Sequence, residues 1–285
     1  MIRNCTPEDL TACAELAFRK NSVPETSSAY CCQTAGSIRE DFQGVLDAGG
    51  PVLADFDAAG KPVSVASFYY DSDRRLADCC GPFAEGDFRS ASLALLAAAR
   101  ERLPEGTRFS FYFDKRNIKL RDWMRELDAV DNGNEYFMAL PRAEFVDAPP
   151  DPRVGELPEA LYSAFQALHD GIFPDLYAPG KAVIADLRAG KRRAFAIREG
   201  ERLLGYCVIQ ERAPIGVLEI LAVAPEARGR GLGRALLHAG MRALFGVSGC
   251  DSVELVVDDS NGNARKLYQA YGFHIRVENC SCTVG

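Results

Sequence analysis

The sequence predicts an α/β protein made of two tandem copies of one fold, each a mixed, partly parallel twisted sheet flanked by helices. Three observations predict it. Strand-type runs alternate with helix-type runs along the whole chain. Their order in residues 1–146 is repeated in residues 153–285. Between them lies a proline-rich seam, Asp147-Ala148-Pro149-Pro150-Asp151-Pro152, whose prolines suit neither a helix interior nor a central strand.

Each copy opens with a helix. In the first, Thr6 caps a helix entered at Pro7, with Asp9 three residues on; the second starts near Pro158-Glu159-Ala160-Leu161. A hairpin follows in each. Val52–Asp55 and Val63–Phe68 flank Ala59-Gly60-Lys61, and Ala194–Ile197 and Leu203–Ile209 flank Glu199-Gly200-Glu201. Turn residues between β-prone runs carry that expectation. A long helix comes next, near Ser90–Leu103 and near Gly233–Phe245, then a buried-type strand, Phe109–Phe113 and Val253–Val257. Each strand leads into a helix started by an asparagine, Asn117 and Asn261, and a final strand closes each copy.

The bulk numbers exclude several functions. The chain of 285 residues is 47% apolar and 26% charged, the balance of a globular protein with a core. A net charge of −7 argues against a nucleic-acid partner, which calls for a basic surface. No apolar run reaches the roughly 18 residues of a membrane span, and Met1–Asp9 has no apolar signal core, so no membrane association is expected and the expected location is the cytoplasm. Without a secretion signal, the ten cysteines are expected to be reduced, buried thiols. No Cys-x-x-C occurs and His169, His238 and His274 are scattered, so no metal site is expected. Nothing in the sequence sets the oligomeric state.

The chemistry sits in the second copy. Leu218-Glu219-Ile220-Leu221-Ala222-Val223 reads as a buried strand. After Ala224-Pro225 comes Arg228-Gly229-Arg230-Gly231-Leu232-Gly233, which opens directly into an amphipathic helix beginning near Arg234. Glycines let the backbone turn and approach a ligand, successive N–H groups then point inward, and the helix N-terminus adds partial positive charge. The result is an anion cradle, with Arg228, Arg230 and Arg234 adding formal charge. The spacing is neither that of a Walker loop, which needs Gly-Lys-Ser/Thr, nor that of the dinucleotide Gly-x-Gly-x-x-Gly.

The run Val223–Gly233 resembles the acetyl-CoA motif of the GNAT superfamily of N-acetyltransferases. The resemblance implies that the amides of residues 228–234 hold the CoA pyrophosphate. It also implies that the strand through Leu221, Ala222 and Val223 pairs with the pantetheine arm, and that an amide near Val223 polarises the thioester carbonyl. A second motif supports it. Asn261-Gly262-Asn263-Ala264-Arg265-Lys266-Leu267-Tyr268-Gln269-Ala270-Tyr271-Gly272-Phe273 resembles the family's Asn-x-x-Ala-x-x-Leu-Tyr-x-x-x-Gly-Phe. Asn261 is a natural helix cap, Gly272 a natural stop, and Tyr268 lies two turns from Asn261 on one side. By resemblance Asn261 helps hold the cofactor and Tyr268 protonates the departing thiolate; Tyr268 also reads as an ordinary rim tyrosine of an amphipathic helix. For the general base, Glu219 is the candidate. It is the one charge in an apolar strand, and its position four residues before Val223 predicts that the two share a face. Asp258 and Asp259 are weaker candidates.

The first copy departs from both motifs. Gly81–Phe88 lacks Arg-x-x-Gly-x-Gly and carries two acids, and seven residues beyond Asn117 stands Met124. It reads as a degenerate GNAT-like domain (1–146), joined by the linker (147–152) to a catalytic one (153–285). The layout is similar to that of the mycothiol synthases, from which no substrate is carried over. The implied reaction moves the acetyl group of acetyl-CoA to a primary amine on a small molecule or peptide. The segment Gly171–Gly180 falls where the acceptor is expected to bind. The alternatives are a non-catalytic acyl-CoA sensor and an acyltransferase for longer chains.

Overall fold

The computed structural model describes residues 2–174, 176 and 178–285. Along the chain the elements are β1 (Arg3–Asn4), α1 (Leu10–Asn21), α2 (Ala35–Asp47), β2 (Val52–Phe56), β3 (Pro62–Asp71), β4 (Leu76–Ala84), α3 (Phe88–Arg100), β5 (Arg108–Asp114), α4 (Ile118–Glu126) and β6 (Val130–Pro141). They continue with β7 (Val154–Glu156), α5 (Tyr162–Ile172), α6 (Gly180–Arg188), β8 (Arg193–Glu199), β9 (Arg202–Gln210), β10 (Ile215–Val223), α7 (Leu232–Arg242), β11 (Ser252–Asp258), α8 (Gly262–Tyr271) and β12 (His274–Val284). The α/β class is the expected one.

The chain divides into two compact units, but not at the proline-rich seam. One holds Met1–Glu135 with Val277–Gly285, the other Tyr136–Arg276. The reason lies in the closing strands. Asn279–Val284 of β12 pair antiparallel with Asp114–Phe109 of β5, so the chain's last strand is built into the first unit.

In the first unit β1, β2, β3 and β4 are joined by antiparallel pairs. β4 and β5 run parallel over only three pairs, from Leu76↔Arg108 to Asp78↔Ser110. Helices α1 and α2 bury Leu10, Leu16, Ile38 and Phe42 on one side, and α3 and α4 bury Leu95, Leu96, Leu120 and Trp123 on the other. At the N-terminus, Asp9 and not Thr6 stands at the N-cap of α1, its carboxylate accepting from Thr6 and Arg3 rather than capping the helix, so the helix starts later than expected. Helix α2, which the sequence reading passed over, is capped by Thr34.

The second unit repeats the plan. β7, β8, β9 and β10 are antiparallel neighbours, and β10 runs parallel to β11 over Ile215↔Ser252 to Val217↔Glu254. One side of the sheet packs on α7 through Leu218, Leu236, Leu237, Met241 and Leu255. The other packs on α5 and α6 through Phe165, Val183, Tyr206, Val208, Ile220 and Ala222. All ten cysteines are unbridged. Among the described residues no helix is long and apolar enough to cross a membrane.

Candidate active site

Three local features of the second unit converge on one cleft. The first is the short pairing of β10 with β11. It stops at Val217, so the rest of β10 loses its partner on that side. Ala224 N–H bonds Leu204 O toward β9, at 2.8 Å. Backbone N–H groups alternate in direction along a strand, so those of Val223 and Leu221 point the other way, into the gap.

The second feature is the glycine loop, residues 224–231. Gly229 and Gly231 have φ of 76° and 75°, a region where other residues are strained. Gly231 stands at the N-cap of α7, and no side chain caps that end. The first N–H groups of α7 therefore keep their donors for an anion. Residues Leu221, Ala222, Val223, Arg228, Gly229, Gly231, Leu232, Gly233 and Arg234 all line the cleft.

The third is α8. Asn261 Oδ1 accepts Ala264 N–H at 3.2 Å, and Gly272, at φ 119°, ends the helix. Asn261, Leu267 and Tyr268 line the same cleft, whose volume is about 440 Å³. Tyr268 is 7% exposed. Burial, with the Cys207 thiol nearby, pushes its phenol well above the ordinary value near 10.

Two expectations need correction. Arg230 is not among the lining residues; it turns outward and pairs with Glu199 in the β8–β9 hairpin. Of the other arginines, Arg228 Nε donates to Val223 O at 3.2 Å, and Arg234 lies over the Tyr271 ring at 5.5 Å. Glu219 does not share a face with Val223. The β9–β10 register shifts between Leu218 and Ile220, and this bulge changes the phase of the strand. Val223 packs toward α7, whereas Glu219 accepts from Arg192 (2.5 Å) and from Gln210 (2.8 Å). Arg192 also donates to Asp186, at 2.7 Å. Glu219 thus belongs to a nearly buried ion-pair network on the α5–α6 side. Tyr136 and Arg265 both bond Asp259, and Asp258 accepts from Ser260.

Residues Ile172 and Phe173, from the expected acceptor segment, also line the cleft. Asp175 and Tyr177 of that segment lie outside the described residues. Helix α6, which follows that segment, is not among the elements the sequence predicts.

Residues 158–273 match the Acetyltransferase (GNAT) family. The match covers about two fifths of the chain and holds both the glycine loop and α8. The chain is 37% identical to the mycothiol acetyltransferase of Salinispora tropica over 129 residues, which is 41% of this chain and 42% of that protein. Over 123 residues it is 37% identical to the Salinispora arenicola mycothiol acetyltransferase, covering 39% and 40%. These alignments span about two fifths of the relatives' length. A GCN5-related N-acetyltransferase from Sphaerobacter thermophilus shares the fold over 99% of this chain and 94% of its own, at TM-score 0.73 and 18% identity. A tandem GNAT protein from the clavulanic acid biosynthesis pathway does so over 100% and 98%, at TM-score 0.67 and 15% identity. At such identities the likeness is one of fold, and it covers both units.

In the first unit the corresponding features differ. Only three residues, 85–87, connect β4 to α3. Asp87 caps α3 by accepting Arg89 N–H and Ser90 Oγ–H, so a carboxylate already occupies that helix end. Asn117 caps α4 as Asn261 caps α8, but Trp123 and Met124 are both buried in the core.

Proposed function

We propose that the protein transfers the acetyl group of acetyl-CoA to a primary amine on a small molecule, using the second unit. One observation carries the reading: an unpaired strand edge, an uncapped helix N-terminus and a buried tyrosine share one cleft. The residues present suit the co-substrate. The loop amides and the start of α7 offer donors to a pyrophosphate, and Arg228 and Arg234 flank them with charge. The Leu221–Val223 edge offers strand-like hydrogen bonds to an amide-bearing arm. The name of the curated relatives, mycothiol acetyltransferase, supports a small-molecule acceptor over a peptide.

Acetyl-CoA would supply the acetyl group as a thioester. Val223 N–H donates to the thioester carbonyl oxygen, where charge grows during attack. Tyr268 donates its hydroxyl proton to the leaving sulfur. Its raised pKa keeps that proton in place at neutral pH. Glu219 is not among the lining residues and faces the α5–α6 side, so it takes up the proton lost by the amine only through a chain of water. A carboxylate offers about four acceptor positions, and Arg192 and Gln210 fix its orientation. The first unit, with its capped α3 and Met124 in place of a tyrosine, lacks these groups and does no transfer.

The test is CoA release from acetyl-CoA across a panel of small-molecule amines and peptides, with the wild-type chain and Tyr268→Phe. Amine-dependent release that falls in the variant supports the reading. Acetyl-CoA binding with no release for any amine would identify a sensor and overturn it.

A further inference from the structure

Behind the apolar end of the cleft lies a buried cluster that the transfer chemistry does not use. His169, near the end of α5, is fully buried, and so is Tyr206 on β9. The Tyr206 hydroxyl lies 2.7 Å from His169 Nδ1, and His169 Nε2 lies 2.9 Å from the Ala178 carbonyl oxygen. A carbonyl only accepts, so Nε2 carries the proton and donates; Nδ1 then accepts from the tyrosine. The neighbouring Asp170 accepts Gly180 N–H at 2.7 Å. Adjacent residues of α5 thereby hold the chain at 178 and at 180.

Phe173 is tied to the same cluster. Its N–H bonds His169 O at 2.8 Å, and its ring lies 5.7 Å from the imidazole, with Phe165 at 5.5 Å. Tyr206 is the register partner of Ala222 on β10. Phe173, Ile172 and Ala222 line the same cleft as Tyr268, Asn261 and the glycine loop. The imidazole therefore links the Ala222 wall to the Phe173 wall at the end where the acyl group would sit.

We propose that Phe173 is the specificity-determining wall that restricts the co-substrate to a short acyl group, and that His169, itself held by Tyr206 and Ala178, is the positioning residue that fixes it by ring contact. This rests on the acyl-CoA reading of the cleft. A fixed wall discriminates by roughly 10–200-fold per methylene, and a wall free to shift does so far less.

The experiment compares acetyl-CoA with butyryl-CoA on the full chain, by calorimetric Kd and by transfer to an accepted amine. Phe173→Ala is expected to move the butyryl-to-acetyl preference at least about 10-fold toward butyryl. Tyr206→Phe and His169→Asn are expected to move it several-fold the same way. His169→Gln, which can retain a donor to Ala178, should recover part of the wild-type ratio. An unchanged ratio in Phe173→Ala overturns the wall. Equal weakening of both thioesters in the His169 and Tyr206 variants, with no change of ratio, overturns the positioning role and leaves only fold support. Phe173 is partly exposed, so its variant keeps the test informative even where a His169 variant fails to fold. Because calorimetry needs no turnover, selective binding without transfer to any amine would refute the proposed reaction while upholding this assignment.

Discussion

Replacing Gly231 by valine should abolish the anion cradle while leaving the second unit folded. At φ 75° and ψ 5°, the residue lies where a β-branched side chain is a genuine outlier. The left-handed conformation costs an ordinary L-residue roughly 1–2 kcal/mol. Relaxing that strain turns the loop, and with it the N–H groups at the uncapped start of α7, away from the ligand. Losing two hydrogen bonds to a charged group costs about 1.5–3 kcal/mol each, or about 3–6 kcal/mol together. At 1.4 kcal/mol per decade this weakens acetyl-CoA binding roughly 10²–10⁴-fold. Calorimetric titration with acetyl-CoA reads the effect directly. Gly60→Val is the control: Gly60 has φ 78° in the β2–β3 hairpin of the first unit, so it carries similar strain far from the loop in sequence. It should lower the melting temperature and leave Kd unchanged. A Gly231→Val protein that binds acetyl-CoA within about threefold of wild type would refute the cradle.

Further outcomes follow from the same geometry. Tyr268→Phe should lower kcat by roughly 10²–10⁴-fold with little change in the KM for acetyl-CoA; undiminished turnover with every accepted amine removes the acid role. Since burial raises the Tyr268 pKa, its protonated form persists as pH rises, and kcat should not fall between pH 7 and about 10. A descending limb with a midpoint below 10 would count against Tyr268 as the donor. Glu219→Gln leaves Arg192 with only Asp186 as an anionic partner, which should destabilise the protein by up to about 3 kcal/mol and also lower kcat; a stability loss with normal kcat would make Glu219 structural only. Asp87→Ala should lower the melting temperature by uncapping α3, yet leave acetyl-CoA affinity as it was.

The parts of the site readable from sequence are those encoded by neighbours in the chain. Gly229, Gly231 and Asn261 announce a backbone conformation or a cap within four residues, and each is found doing that locally. The two hairpins and the asparagine-started helices are legible for the same reason. What escaped depends on partners far away. The face of Glu219 was misjudged because a bulge in a strand is decided by pairing with β9, not by the strand's own alternation. Arg230 was expected at the cleft, but a glutamate 31 residues earlier holds it outside. Helices α2 and α6, by contrast, do carry local marks, Thr34 with Ile38, Phe42 and Val45 at helical spacing in the one and Pro179 before the other, so both are legible from neighbours in the chain. The division into units follows β12, whose place beside β5 spans more than 160 residues and leaves no local mark.

The two copies also explain why one fold supports two different roles. Both open a parallel strand pair after three residues, so both create a gap beside the start of a helix. What differs is how each gap and helix end is satisfied. In the first unit, Asp87 caps its own α3, and Trp123 packs with Phe111 and Phe88 in edge contacts at 5.6 and 6.3 Å. The carboxylate cap meets the first donors of α3 and repels an anion, so it removes the reason to bind one there. In the second unit the α7 end carries glycine instead of a capping side chain, and α8 presents Leu267 and Tyr268 at the cleft. Those backbone donors stay unmet within the unit until an anion meets them, and that deficit is what makes it a binding site. A charge test follows as the sharpest check: Gly231→Asp should place a carboxylate at the start of α7, where Asp87 already stands in α3. At φ 75° the substitution is strained, so the melting temperature should fall, and the added carboxylate should abolish acetyl-CoA binding by repelling the pyrophosphate. Retained binding would show that the uncapped helix end is not what holds the cofactor.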